Sequence, residues 1–268
     1  MAGVTARGVF TTPMVRLILV ACMLVVIGSG HAAGSDVPSA PIATDRPAGT
    51  ASSVAVPRGS FQAENGFTET VSQGQRTFDG PETLLRFGVV SKTELRLTAP
   101  NYFGQVEMGS GTGFGDLAIG VKRQLGPASG FDVSLILSLS LPTGARPISS
   151  HGYDPSVQMP WSRALSPNWT AAGMLAMYWP TQEGHRNVTG GTTFLMDRQF
   201  RKRWDAFAEY AGDFPERGGS RHLVHLGAAW KPTPRQQFDV HVGVGLSSAA
   251  LDQLIGVGYS FRLQAVHR

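Results

Sequence analysis

Charged residues recur in this chain at alternate positions of otherwise apolar runs, and that placement gives them their chemistry. Glu64, Arg86, Glu94, Arg96, Asp116, Lys122, Asp132, Asp205, Glu209, Asp239 and Arg262 each stand beside large apolar neighbours in such a run. An extended chain sends successive side chains to opposite faces, so the ions gather on one face and the hydrocarbon on the other. An ion is costly in hydrocarbon, so the ionic face must line a lumen or pair with itself. Glu64, Arg86, Glu94, Arg96, Asp116, Lys122, Glu209, His241 and Arg262 are therefore expected to line an interior. Arg86, Arg96 and Lys122, set against Glu64, Glu94 and Asp116, would form a charge ladder that selects solutes electrostatically at close quarters. The same residues would otherwise neutralise one another as a salt-bridge network that closes the interior.

Catalysis is weighed on the histidines. His222 and His225 stand three apart, so in a strand they face opposite sides and cannot chelate one metal. His225 and His241 fall on neighbouring inner faces near Asp239, an arrangement open to a hydrolytic or metal group; a lumen histidine satisfied by its neighbours is the plainer reading. The sequence holds no G-x-S-x-G, no H-E-x-x-H and no P-loop. The stretch Gly109-Ser110-Gly111-Thr112-Gly113-Phe114-Gly115 is glycine-rich, but no helix follows it to hold a phosphate. No catalytic, cofactor-binding or metal-binding residue is assigned, and the expectation is a non-enzyme without cofactor.

The elements that position these residues are strands. In Phe131-Asp132-Val133-Ser134-Leu135-Ile136-Leu137-Ser138-Leu139-Ser140-Leu141 every odd position is large and apolar. Similar runs are predicted at 59–69, 82–90, 93–100, 114–124, 131–141, 156–164, 168–179, 188–198, 203–212, 221–231, 237–246 and 253–263, the phase of 188–198 being ambiguous. Connections after every second strand are short, as at Val90-Ser91-Lys92 and Leu165-Ser166-Pro167, whereas the others reach the stretch 142–155. Outer-membrane barrels pair short periplasmic turns with long outer loops and an even strand count. Trp169, Trp179, Trp204, Trp230, Tyr259 and Phe261 fall near predicted strand ends, as in the interfacial girdles of such barrels.

Composition sets the outer bounds. Arg7 and Arg16 precede an apolar stretch, Leu17 to Ile27, and Gly30-His31-Ala32-Ala33 offers a cleavage site, so residues 1–33 read as a cleaved signal peptide. The single cysteine, Cys22, lies in that signal, which leaves the processed chain without disulfides or thiolate metal sites. The formal charge of +4 includes both signal arginines, so the basic balance says little about nucleic acid and none is expected as a partner. Residues 34–57 are rich in Pro, Ala, Ser and Thr and are expected to be an extended segment, a partial plug if Asp45 and Arg46 pair with lumen charges.

Asp45-Arg46-Pro47, Val56-Pro57-Arg58-Gly59-Ser60-Phe61-Gln62-Ala63-Glu64-Asn65-Gly66-Phe67, Glu82-Thr83-Leu84-Leu85-Arg86-Phe87-Gly88-Val89, Glu94-Leu95-Arg96-Leu97, Gly115-Asp116-Leu117-Ala118-Ile119-Gly120-Val121-Lys122 and Leu141-Pro142-Thr143-Gly144 together resemble one group of bacterial proteins, the outer-membrane transporters of the meta-pathway of phenol degradation. The resemblance is strong over 42–144 and implies an outer-membrane barrel that transports an aromatic substrate. The reading is an all-β, transmembrane, antiparallel up-and-down β-barrel of about 12 strands spanning 58–268. It is expected in the bacterial outer membrane, in contact with lipid, and to pass a small, aromatic or hydrophobic compound passively. The alternatives are a barrel-type lipid hydrolase of the outer membrane and a soluble periplasmic β-sandwich that binds a ligand.

Overall fold

The computed structural model describes residues 41–105 and 111–264, so the expected signal peptide, Gly109, Ser110 and His267 lie outside the described residues. No helix occurs among the described residues. Fifteen strands form one sheet, and twelve of them close into a barrel. These are β1 (Ser60–Ser72), β2 (Leu84–Val90), β3 (Thr93–Thr98), β4 (Leu117–Gln124), β5 (Asp132–Leu141), β6 (Asp154–Ser166), β7 (Trp169–Tyr178), β8 (Thr189–Arg201), β9 (Trp204–Pro215), β10 (Arg221–Thr233), β11 (Gln236–Gly245) and β12 (Gln253–Gln264). Each pairs antiparallel with its neighbours in the chain. β12 pairs with β1 in continuous register from Ser60↔Gln264 to Val71↔Gln253, which closes the ring. A closed ring leaves no backbone edge exposed, the condition for strands to sit in lipid. Closure also excludes the β-sandwich alternative.

Burial is inverted relative to a water-soluble fold. Val244, Ile255, Val257 and Leu226 are 55%, 53%, 52% and 47% exposed, while Gln62, Glu64, Arg86, Glu94 and Lys122 are fully buried at 0%. The outward face is hydrocarbon and the inward face is polar, as the alternation predicts. The ambiguous strand settles with Phe194 and Phe200 outward and Thr193, Leu195 and Asp197 inward. At the end where the short turns lie, aromatic rings form a belt around half the barrel. Trp204, Trp230, Phe238, Tyr259, Phe261, Phe61 and Phe87 follow one another with ring centroids 4.7–6.1 Å apart.

The loop end carries structure that the alternation does not foretell. Gln75–Gly80 pairs with the upper half of β1, Tyr102–Gln105 pairs with Gln75–Gly80, and Gly113–Phe114 completes a three-stranded flap. The expected strand 114–124 thus divides, with Phe114 in the flap and β4 starting at Leu117. Three tight reversals place two consecutive residues at positive φ: Gln73–Gly74, Ser129–Gly130 and Glu183–Gly184. That backbone matches strand twist in a two-residue hairpin, and the second residue is glycine each time. The X-Gly pair was the available sequence signal for the flap turn.

Candidate functional site: a lumen crossed by the N-terminal segment

The inner faces of the strands converge on residues 42–59. Ile42 donates its amide to Pro234 O, in the turn between β10 and β11, at 2.8 Å. The segment then runs round the inner wall and returns to β1 at the same end. Its contacts involve Gln62 and Glu64 of β1, Arg86 of β2, Glu94 and Arg96 of β3, Lys122 and Gln124 of β4, Ser134 of β5 and Ser162 of β6. They continue to Thr193 of β8, Glu209 of β9, Gln237 and His241 of β11 and Val257 O of β12. Ala51 packs with Ile136 of β5 and Met174 of β7 in a small buried apolar cluster. A segment of small residues suits this course, because its backbone amides and carbonyls do most of the pairing.

The first focus is ionic. Arg86 clamps Glu94 with Nε to Oε1 at 2.8 Å and Nη2 to Oε2 at 2.9 Å, and reaches Glu64 Oε1 at 2.8 Å with Nη1. Arg96 Nη1 also donates to Glu94 Oε1 at 2.8 Å, and Lys122 Nζ stands 3.6 Å from it. Asp45 enters this group from the segment. Its Oδ1 lies 3.3 Å from Arg86 Nη1 and 3.2 Å from Lys122 Nζ, and its Oδ2 accepts from Arg96. The wall alone presents three cations, Arg86, Arg96 and Lys122, against Glu64 and Glu94; Asp45 brings the group to neutrality. Buried ions persist only when paired and hydrogen-bonded in this way.

The second focus surrounds Arg46. Its guanidinium pairs with Glu82, lies 3.5 Å from Asp239 Oδ1 and donates to Val257 O at 3.2 Å. It lies flat against wall positions that hold glycine. A Cβ on Gly66 would stand 2.1 Å from the guanidinium carbon, and one on Gly258 would stand 2.5 Å from Nε. Any larger residue at these inward positions would evict the arginine. Pro47 follows and lines the neighbouring cavity.

The third focus is Glu209, 3% exposed. It accepts from the amides of Gly49 at 2.8 Å and Thr50 at 2.7 Å, and from the Thr50 hydroxyl. His225 Nδ1 lies 3.0 Å from Glu209 Oε2, and His225 Nε2 lies 2.7 Å from His241 Nδ1. The other nitrogen of His241 faces Arg46 Nη2 at 3.4 Å. A carboxylate only accepts, so its partner assigns the proton of His225 to Nδ1. His241 then donates through Nδ1 and leaves Nε2 as the acceptor facing Arg46. Both rings are spent holding the segment.

The remaining expected lining residues separate from these foci. Asp116 stands at the loop end, where it accepts from Gly144 N at 2.8 Å and Ser150 N at 3.0 Å and so pins the long loop 142–152. Desolvation works against its charged form, but those amide bonds prevail and hold its carboxyl below the usual aspartate value. It is therefore absent from the charge ladder in which the sequence grouped it. Arg262 is 4% exposed on β12, opposite Gln62 in register. Asp132 accepts from Gln124, and Asp205 pairs with Lys231. Sequence reasoning missed Gln62, Glu82, Thr193 and Gln237. Gln62, Thr193 and Gln237 are uncharged and so escaped a selection made on charge, although alternation sets Gln62 on the face of Glu64. Glu82 falls in the predicted run 82–90 at the parity of Arg86 and was passed over, and the structure starts β2 only at Leu84.

Two cavities remain, one against the segment and one at the loop end. A cavity of about 290 Å3 lies between residues 42–54 and the wall of β6 to β11, lined by Ser162, Thr170, Leu195, Asp197, Phe207 and Lys231. A second, of about 470 Å3, lies at the loop end beside the flap and is lined by Thr98, Asn101, Phe103, Asp116, Ser140 and Ile148. Among the described residues no group of His, Cys, Asp or Glu has metal-binding geometry.

Among curated proteins no sequence matches this chain. Solved structures match its fold. An outer membrane channel from Pseudomonas putida F1 aligns over 78% of this chain and 97% of its own, with a TM-score of 0.59 and 12% identity. The NanC porin aligns over 76% and 100%, at TM-score 0.55 and 8% identity. The KdgM porin aligns over 78% and 99%, at TM-score 0.53 and 11% identity. At the level of sequence, residues 44–263, which include the segment from Thr44 and every barrel strand up to Leu263, match the family described as "Putative MetA-pathway of phenol degradation", and the chain belongs to that family.

Proposed function

We propose that this protein is an outer-membrane channel through which a small solute crosses passively, with its short turns in the periplasm and its flap and long loops outside. The observation that carries the reading is the inverted barrel, with hydrocarbon outside and a charged interior, crossed by a segment held through non-covalent contacts with a cavity beside it and another at the loop end. The family description supports an aromatic or hydrophobic compound as the solute class. The segment narrows the route to the side of β6 to β11, and the ionic cluster on the side of β1 to β4 sets the local field. The lipid-hydrolase alternative is disfavoured because His225 and His241 are engaged in the chain from Glu209 to Arg46, with no serine or threonine hydroxyl hydrogen-bonded to either ring among the described residues.

Planar-bilayer recording of the purified protein tests the proposal. Discrete conductance steps are expected, Arg96→Ala is expected to shift ion selectivity, and deletion of 36–56 is expected to raise conductance. A silent bilayer from heat-modifiable, folded protein would overturn the channel reading. The solute class is tested separately by uptake into proteoliposomes of size-matched aromatic and sugar solutes; equal rates would remove the aromatic preference.

A further inference from the structure

The outward wall carries few charges, and two of them stand without a protein anion. Judged by the alternation of each strand and its register, the charged side chains on the outward faces are Glu69, Arg123, Arg163, Arg198 and, at the end of β8 opposite Trp204, Arg201. Glu69 pairs with Arg76, and Arg123 donates to Ser91 O at 2.9 Å and to the Thr93 hydroxyl at 2.7 Å. Arg163 and Arg198 are held instead on aromatic rings. The guanidinium of Arg163 stands 4.9 Å from the ring centre of Phe131, and that of Arg198 lies 5.2 Å from Trp169 and 5.0 Å from Phe200. No carboxylate reaches either among the described residues.

These arginines are neighbours at the turn end. Arg163 is opposite Ala171 of β7, and Arg198 is opposite Trp169 of the same strand. They rise from the strands on either side of β7, two strand spacings across and two residues along, so their backbones are about 12 Å apart. Leu165 and Phe200, 55% and 58% exposed, lie nearer the turns than the arginines do. The guanidinium groups therefore start within the apolar band and must reach toward the headgroups. An outward arginine without a counter-ion is unfavourable in lipid. Stacking on rings restrains each fork yet leaves its donors unspent, and a guanidinium fork matches phosphate oxygens. The end of β8 and the turn after it add Arg201, Lys202 and Arg203 with no acid among them.

We infer that the turn-end surface around β7 is a binding site for the phosphates of anionic phospholipid, with Arg163 and Arg198 as its two contacts. The lipid is of the phosphatidylglycerol class, in the leaflet that meets the short turns. The site rests on the membrane placement proposed above and is independent of conduction.

The test extracts the folded protein from vesicles of equal phosphatidylglycerol and phosphatidylcholine with matched acyl chains, and counts retained lipids by native mass spectrometry. Wild type is expected to retain phosphatidylglycerol over phosphatidylcholine, by on the order of fivefold per arginine. R163Q/R198Q is expected to abolish that preference, while R76Q, at the other end, keeps it. Equal retention by wild type, or an undiminished preference in the double variant, would overturn the assignment. If the double variant does not fold, Arg163→Gln alone carries the test, with a reduced preference expected and an unchanged one counting against the site. Excess inorganic phosphate should leave the lipid bound; stripping it would identify a free-anion site instead. A conducting wild type without lipid preference overturns this inference alone, and a silent one with the preference leaves it standing.

Discussion

Asp45 shows how much one side chain can decide. It is the third carboxylate among three cations, and it arrives on a segment that is otherwise held by the Arg46 ion pairs and by backbone groups bonded to Glu64, Arg86, Glu94, Lys122 and Glu209. Asp45→Asn leaves Arg86, Arg96 and Lys122 facing Glu64 and Glu94 alone. Breaking a buried pair in this way costs about 3–5 kcal/mol. The cost falls on the seating of the segment, because Glu64 and Glu94 still hold the wall together. The variant should therefore keep heat-modifiable migration, conduct better than wild type and shift toward anions. Reversal potentials in a salt gradient measure this; a variant indistinguishable from wild type would mean that Asp45 does not seat the segment. The sequence made Asp45 and Arg46 visible as charges in a low-complexity stretch. It could not pair Arg46 with Glu82, because that contact passes over Gly66 and Gly258, which are informative only for the space they leave.

At the scale of elements, strands and loops differ in what fixes them. The twelve strands follow from alternation, a local property, and their bounds move by a few residues at most. The flap does not alternate clearly; it covers the edge of the upper half of β1 that β2, which begins at Leu84, leaves unpaired, while β12 pairs with the other edge. Loop 142–152 depends on Asp116. The carboxyl of that residue is held below its ordinary value, so its contribution is present above the unfolded aspartate value and is lost as pH falls through the lowered one. Hydrogen exchange at the amides of Gly144 and Ser150 should therefore rise in acid relative to other loop amides. Asp116→Asn should show raised exchange at neutral pH, with no further relative change in acid. Equal protection in the variant and wild type at neutral pH would remove Asp116 as the loop's anchor.

For the whole molecule, the deciding term is which solvent meets each face. Val242 sits mid-strand on β11 and is 42% exposed, pointing outward. Val242→Arg should destabilise the barrel in lipid by about 2–4 kcal/mol if the residue lies near the bilayer midplane. Ser138→Asn, on the inward face of β5, should have a smaller effect. Denaturant midpoints in vesicles compare the two, and equal midpoints would contradict a lipid-facing exterior.

The sequence by itself determined the class of fold, the strand count and the inward placement of Glu64, Arg86, Glu94, Arg96, Lys122, Glu209 and His241. All of these depend on the two-residue period of a strand and on the cost of an ion in hydrocarbon, which act locally. Only the tertiary structure decided which of these ions meet, that Asp116 leaves the group to hold a loop, and that Asp45, Arg46 and Thr50 complete the lumen. Those outcomes depend on barrel closure, which sets β12 against β1 and brings the segment within reach of strands nearly two hundred residues away along the chain. No local pattern encodes a distance of that kind.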